Sequence, residues 1–262
     1  MALGACTPGN PAPTKAAVSI PPATDLNETL TVFAAASLTD AFTEIGNAFE
    51  AGHPGVKVAF SFAGSQILRA QIEQGAAADV FASANKTEMS TLVTDKLVDD
   101  GSAQTFLTNQ LVVILPENNP AGITSMEDLA KPGLKIILAA EEVPAGKYAR
   151  QVLENLNSTY GADFKDKVLK NVVSNETDVR QVTAKIQLGE ADAGIVYVSD
   201  AVATSQLKEI AFPADANVTA AYPIAPLIKS KYPELAKEFI DYVISAQGQA
   251  ILKKWGFTPV VP

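Results

Sequence analysis

The chain has one cysteine and one histidine in 262 residues, and each scarcity removes a class of function. A zinc site takes three or four nitrogen or sulfur ligands, so zinc chemistry is out of reach. No intrachain disulfide can form, and no disulfide framework can stand in for a core. A Ser-His-Asp or Cys-His enzyme would have to run every proton transfer through His53. Basic residues are also few: 20 Lys and Arg stand against 29 Asp and Glu, a formal charge of −9, with no basic block. That balance does not suit nucleic acid or an anionic membrane surface as partner. No apolar run approaches the roughly 18 residues that span a bilayer. What is present is an ordinary globular balance, 47% hydrophobic and 19% charged. The length suits one large or two modest domains.

Residues 1–28 have the composition of a linker, with Pro8, Pro11, Pro13, Pro21 and Pro22 among Thr, Ala, Gly and Asn. The run Leu3-Gly4-Ala5-Cys6 resembles the lipobox of bacterial lipoproteins, where the cysteine becomes the lipid-bearing N-terminus. It departs from that pattern because only five residues precede Cys6, too few for a charged and an apolar signal region. The expectation is a truncated signal, lipidation at Cys6, and a tethered, extracytoplasmic chain. Four Asn-x-Thr/Ser sequences, at Asn27, Asn157, Asn175 and Asn217, read as chance beside such a start.

From Leu30 onward strand and helix signals alternate. Leu30–Ala36 is a short apolar run of the kind found in buried strands. Leu38, Phe42, Ile45 and Phe49 then recur on one helical face, which Gly52, Pro54 and Gly55 terminate. The same reading gives strands at 56–63, 79–82, 111–115, 134–140, 193–198, 210–213 and 220–228. Helices follow at 66–74, around Tyr148-Val152-Leu156, around Val179-Val182-Ile186, and near the C-terminus on Leu235, Phe239 and Val243. Alternating strands and helices predict an α/β fold of mainly parallel sheets covered on both faces. About 235 folded residues exceed the needs of one such sheet. Two α/β lobes are therefore expected, with the apolar strand Leu111–Leu115 as the place where the chain crosses between them. Residues 29–109 with 223–262 would form one lobe and 110–222 the other.

The chemistry-bearing residues gather at strand-to-helix junctions. Ser37 follows the first strand, Ser65 the second, Pro144-Ala145-Gly146 opens the Tyr148 helix, Asp178-Val179 opens another, and Tyr197 ends a strand. Ligands in open α/β sheets bind beyond the carboxyl ends of strands. Helix starts there present unpaired N–H groups and a partial positive charge. Singly, each serine reads as an ordinary N-cap, worth about 1 kcal/mol. Singly, Tyr197 reads as a core aromatic.

Taken together, in order, these segments closely resemble the periplasmic molybdate-binding proteins of bacterial ABC transporters. The matching runs are Val32-Phe33-Ala34-Ala35-Ala36-Ser37-Leu38, Phe62-Ala63-Gly64-Ser65, and Ala78-Asp79-Val80-Phe81-Ala82-Ser83-Ala84. They continue through Val143-Pro144-Ala145-Gly146-Lys147-Tyr148-Ala149, Asp178-Val179-Arg180 and Gly194-Ile195-Val196-Tyr197-Val198-Ser199-Asp200-Ala201, and close on the stretch from Gly248 to Phe257. The resemblance implies a class II periplasmic binding protein, two Rossmann-like α/β lobes joined by a crossover hinge with the ligand in the cleft between them, which closes on a tetrahedral oxyanion, molybdate or tungstate. It implies hydroxyl and N–H donors from Ser37 and Ser65, backbone N–H donors from Ala145 and Val179, and the phenol of Tyr197. It also implies a monomer without cofactor or free metal cation, which delivers its ligand to a membrane permease and its ATPase. Gln66 departs from the family pattern, where a second serine is common.

The rivals are weaker. Sulfate and phosphate are open by charge, although a protonated phosphate wants an acceptor carboxylate and only Asp178 lies in the motifs. Arg69, Arg150 and Arg180 are alternative anion ligands, but each falls inside a helix, which favours surface or supporting roles. Asp79 reads as a hinge or backbone anchor. A hydrolase using Ser65 lacks the Gly-x-Ser-x-Gly elbow. His53 sits at the far end of the first helix and reaches neither serine.

Overall fold

A computed structural model describes Met1 and residues 28–260. Cys6 and the lipobox-like run lie outside the described residues. Two sheets organise the chain. The first has six strands: β1 (Glu28–Ala35), β2 (Val56–Ala63), β3 (Val80–Ala82), β4 (Gln104–Asn109), β10 (Ala220–Pro226) and β11 (Thr258–Pro259). Their order is β11-β4-β10-β3-β1-β2. The second has five: β5 (Leu111–Pro116), β6 (Ile136–Ala139), β7 (Val172–Glu176), β8 (Ala193–Tyr197) and β9 (Leu207–Ala211), in the order β7-β6-β8-β5-β9. The chain passes from one sheet to the other at Gln110 and returns between Ala211 and Ala220.

The expectation of mainly parallel sheets is corrected. The pairings β1–β2, β1–β3, β6–β7 and β6–β8 are parallel, whereas the other five are antiparallel. The reason is the double crossing. Strands β1, β2, β3, β6 and β8 end at the cleft, but β5 and β10 begin at the hinge and must run away from it. Two boundaries also shift. Glu28, expected in the tether, pairs with Val56 as the first residue of β1. Ala220 to Tyr222, expected beyond the crossing, already belong to β10 and pair with Asn109 to Leu107.

The helices cover both sheets. In the first half these are α1 (Thr39–Gly52), α2 (Ser65–Glu73), α3 (Lys86–Thr94), α8 (Pro233–Ile244) and α9 (Ala246–Lys254). In the second they are α4 (Pro144–Tyr160), α5 (Phe164–Lys170) and α6 (Val179–Gln187), with the short α7 (Val198–Val202) beside the hinge. The face read from Leu38, Phe42, Ile45 and Phe49 is buried throughout. Phe42 packs its ring against Phe60, Phe106 and Phe239. Burial of this aromatic group fixes α1 on its sheet, since each such side chain contributes about 1.5–3 kcal/mol of transfer free energy. Asp79, at the start of β3, accepts from the N–H groups of Thr31 (2.8 Å) and Lys231 (2.9 Å) and from Ser230 Oγ (2.7 Å). It anchors neighbouring backbone, at the end of β3 away from the cleft. Among the described residues no helix is long and apolar enough to cross a membrane.

Small residues line the strand ends that face the cleft, and one glycine in the first turn of α4 is obligatory. A Cβ at Gly146 would fall on the carbonyl oxygens of Ala139 and Ala140, so only glycine lets α4 start this close to the end of β6. Gly146→Ala is expected to push α4 off β6 and cost about 1–3 kcal/mol, as overpacking does, read as a lower denaturant midpoint with unchanged slope.

Candidate functional site

Four chain segments turn from strand to helix at one place. From the first half come the 3-10 turn Ala36–Leu38 that runs into α1, and the start of α2 at Ser65. From the second half come the starts of α4 at Pro144 and α6 at Val179. First-turn amides have no partner within their own helix. Ser65, Ala145 and Val179, each in the first turn of its helix, line one cleft, with Ser37 beside them. Between them lies a cavity of only about 10 Å³, lined by Ser37, Ser65, Ala145, Val179 and Tyr197 among others. That is room for about one water-sized sphere, so the two halves are closed down tightly here and leave no space for a drug-sized ligand.

All five residues singled out in the sequence thus line one cavity. They are 4%, 1%, 2%, 3% and 1% exposed respectively, so the two halves meet over it. Their polar groups are prepared in different ways. Ser65 Oγ accepts the N–H of Ala84 at 3.0 Å, which leaves its own O–H undirected by the protein. Ser37 Oγ lies 2.9 Å from Tyr222 Oη. Among the described residues Tyr197 Oη is buried without a hydrogen-bond partner, and burial pushes its phenol well above the ordinary value, so it remains a neutral donor. Asp178 lines the cavity, yet its carboxylate is engaged in capping α6, accepting from Gln181 N at 3.1 Å and Gln181 Nε2 at 2.6 Å.

The three arginines have other partners. Arg69 pairs with Glu88 at 2.6 Å and with Glu73. Arg150 donates to the carbonyls of Ala139 (3.0 Å) and Gly146 (2.8 Å) and to Asn175 Oδ1, binding the start of α4 to the end of β6. Arg180 crosses the cleft from α6, pairs with Asp40 of α1, and reaches the carbonyl of Ala36 at 3.4 Å. Gln66 makes a second crossing, with Nε2 donating to the carbonyl of Thr177 at 3.1 Å. His53 ends α1, where Nδ1 meets Phe49 O. At 1.5 Å per residue the helix carries it roughly 20 Å from Ser37.

Sequence reasoning missed Tyr222, Ala84, Asp40 and Asp200. The Ser65 contact to Ala84 arises because β3 runs beside β1, a pairing that no local pattern announces. Tyr222 stood at an assumed domain boundary, and only the antiparallel return of β10 brings it to Ser37. Asp200 is fully buried, accepts the N–H of Tyr197 at 3.3 Å, and lies 3.4 Å from Arg180 Nε. Burial raises its carboxyl to about 7, against the opposing pull of the Arg180 charge. Because the folded value exceeds the unfolded one, Asp200 favours the fold fully below about pH 4 and loses that contribution as pH rises through about 7. Asp200→Asn is expected to flatten the decline of ligand-free thermal stability between about pH 4 and 7, measured by unfolding scans across that range.

A family model described as "Bacterial extracellular solute-binding protein" matches residues 30–258. The Mycobacterium tuberculosis protein called molybdate-binding protein ModA is 41% identical over 229 residues, 87% of this chain and 84% of the relative. A Bacillus subtilis protein called a putative ABC transporter substrate-binding lipoprotein is 33% identical over 231 residues, 88% of this chain and 86% of the relative. Among solved structures, the "substrate binding domain of putative molybdenum ABC transporter" from Clostridium difficile superposes with a TM-score of 0.67 at 34% identity, covering 88% of this chain and 99% of that one. The double-sheet fold, the cleft between its halves and the match along nearly all of the described chain lead to one conclusion: the chain belongs to the bacterial extracellular solute-binding proteins.

Proposed function

We infer that this chain is the substrate-binding component of an ABC importer, and that it takes molybdate as a tetrahedral oxyanion into the cavity between its sheets. The observation that carries this reading is the convergence of four helix starts on a small buried cavity furnished with hydroxyl and amide donors. Each helix N-terminus acts as roughly half a positive charge, so four together offer about +2 toward a dianion, offset in part by the Asp178 carboxylate that caps α6. Ser37 and Ser65 would each donate through hydroxyl and backbone N–H. Ala145 and Val179 would donate through backbone N–H, and Tyr197 through its phenol. The arginines near the site are matched by carboxylates or carbonyls, so a cation fixed on the ligand is not needed. The resemblance to proteins named for molybdate supports the choice of anion.

Donors alone also set the selectivity. Molybdate and tungstate present only acceptor oxygens at neutral pH. A protonated phosphate would bring a hydrogen with no acceptor, since Asp178 is occupied at α6, and an unmade buried hydrogen bond costs about 1–3 kcal/mol. Tungstate, near molybdate in size and charge, is the expected second ligand, and sulfate the anion to be rejected on size. No cofactor enters the binding. The loaded chain would present itself as a monomer to a membrane permease whose ATPase drives transport. Lipidation at Cys6 would hold it outside the membrane. The Leu3-Gly4-Ala5-Cys6 run and the description of the Bacillus relative as a lipoprotein support that anchor.

Unfolding scans of ligand-stripped chain with molybdate, tungstate, sulfate and phosphate test the reading. Ligand at about 1,000 times its dissociation constant adds about 4 kcal/mol, roughly 8–16 °C for a chain of this size. Molybdate and tungstate are expected to give that shift and the other two little. A flat response to all four would leave the family resemblance as a statement of fold. The double substitution Ser37→Ala with Ser65→Ala removes two charge-assisted hydrogen bonds and is expected to weaken molybdate binding about 10²–10⁴-fold, measured by calorimetry. Undiminished affinity in that variant would refute the site.

A further inference from the structure

We propose that Tyr222 is a positioning residue for the bound oxyanion: its hydroxyl donates to Ser37 Oγ and thereby turns the single Ser37 proton toward the ligand. This rests on the functional reading above, and it follows from counting protons. Ser37 Oγ and Tyr222 Oη lie 2.9 Å apart and either can donate. If Ser37 donates to Tyr222, nothing remains for an anion that only accepts. If Tyr222 donates, the Ser37 proton is released into the cavity.

Three features favour the second arrangement. Ser65, across the cavity, already shows it: its Oγ accepts the Ala84 amide, whose hydrogen can go nowhere else, so its O–H is left for a ligand. Tyr222 would do for Ser37 what that amide does for Ser65. Tyr222 is completely buried, and burial keeps its phenol protonated far above neutral pH, so the donor is always loaded. Its ring is also held rigidly, edge-on to Tyr197 at 5.7 Å and to Phe257 at 5.8 Å between ring centres. The rings thus fix the hydroxyl that prepares Ser37.

Tyr222 sits on β10, whereas Ser37 belongs to the turn before α1. The hydroxyl pair therefore exists only because the returning strand lies in the same sheet as β1, separated from it by β3. In the ligand-free chain both donor directions are available to the pair. A bound dianion selects the one in which Ser37 faces it. The second serine of the cavity thus reaches the same donor state as Ser65, by a side chain instead of an amide.

A double-mutant cycle on the full chain, read by calorimetry with sodium molybdate, tests this. Tyr222→Phe removes one oxygen and keeps the ring. It is expected to weaken molybdate binding about three- to tenfold, the size of one hydrogen bond between neutral groups. In a Ser37→Ala background the same substitution is expected to change affinity less than about twofold, because the group it acts through is gone. Equal losses in both backgrounds would mean that Tyr222 supports the site only by packing, and would overturn the assignment. So would an undiminished affinity in Tyr222→Phe alone. If the unaltered chain fails to bind molybdate, the functional reading falls and takes this role with it. Unfolding midpoints of all four ligand-free chains, expected within a few degrees of one another, separate loss of donation from loss of fold.

Discussion

The need to bring four helix beginnings to one point governs the architecture. An unpaired amide at a helix start is ordinarily hidden by a capping side chain or by water. Around this cavity α2 and α4 begin without a side-chain cap, and α6 carries one. Gly64 and Val143 cap α2 and α4 with no side-chain hydrogen bond, while Asp178 turns its carboxylate onto Gln181. Alanine and glycine at the strand ends leave no side-chain bulk between the amides. The helices can then approach a small solute from opposite sides, and the field that they add is local, unaffected by a net charge of −9.

Holding such ends together takes contacts that cross the cleft. Arg180 reaches from α6 to Asp40 and the Ala36 carbonyl, and Gln66 reaches from α2 to the Thr177 carbonyl. Both crossings originate within one residue of a cavity residue, Val179 in one case and Ser65 in the other. Any movement that separates the halves therefore breaks these links and opens the cavity in the same motion. The hinge behind is tied by short polar bonds. Asn109 Nδ2 donates to Ser199 Oγ at 2.9 Å, and Asn217 bonds both the N–H and the carbonyl of Leu111. Gln66, which departs from the family's usual serine, is by this geometry a clasp rather than another cavity donor.

Much of this was legible in the chain itself. The face of α1 on Leu38, Phe42, Ile45 and Phe49 is where periodicity put it, and β2 spans the residues read as a strand. The collinear motifs named the family and the five cavity residues. Weakly patterned elements escaped: α3, β4, α5 and β7 have little periodicity or are short, so propensity alone could not raise them above the surrounding loops. The parallel expectation failed for a different reason. Alternation of strand and helix suggests direction only while the chain stays in one sheet, and here it leaves and returns.

What the sequence by itself determined is local: which residues begin helices, which face is apolar, which strand ends are stripped to alanine and glycine, and which metal or nucleophile chemistries lack the residues to occur. Those properties depend on neighbours within a few positions. The tertiary structure alone decided the pairings between distant residues. Tyr222 meets Ser37 across 185 positions, Arg180 meets Asp40 across 140, and Ala84 meets Ser65 across a sheet. These depend on strand order and on the double crossing at Gln110 and after Ala211. The physical reason is that a hydrogen bond needs approach within about 3 Å, and two segments far apart in sequence come that close only when the packing of everything between them has been settled.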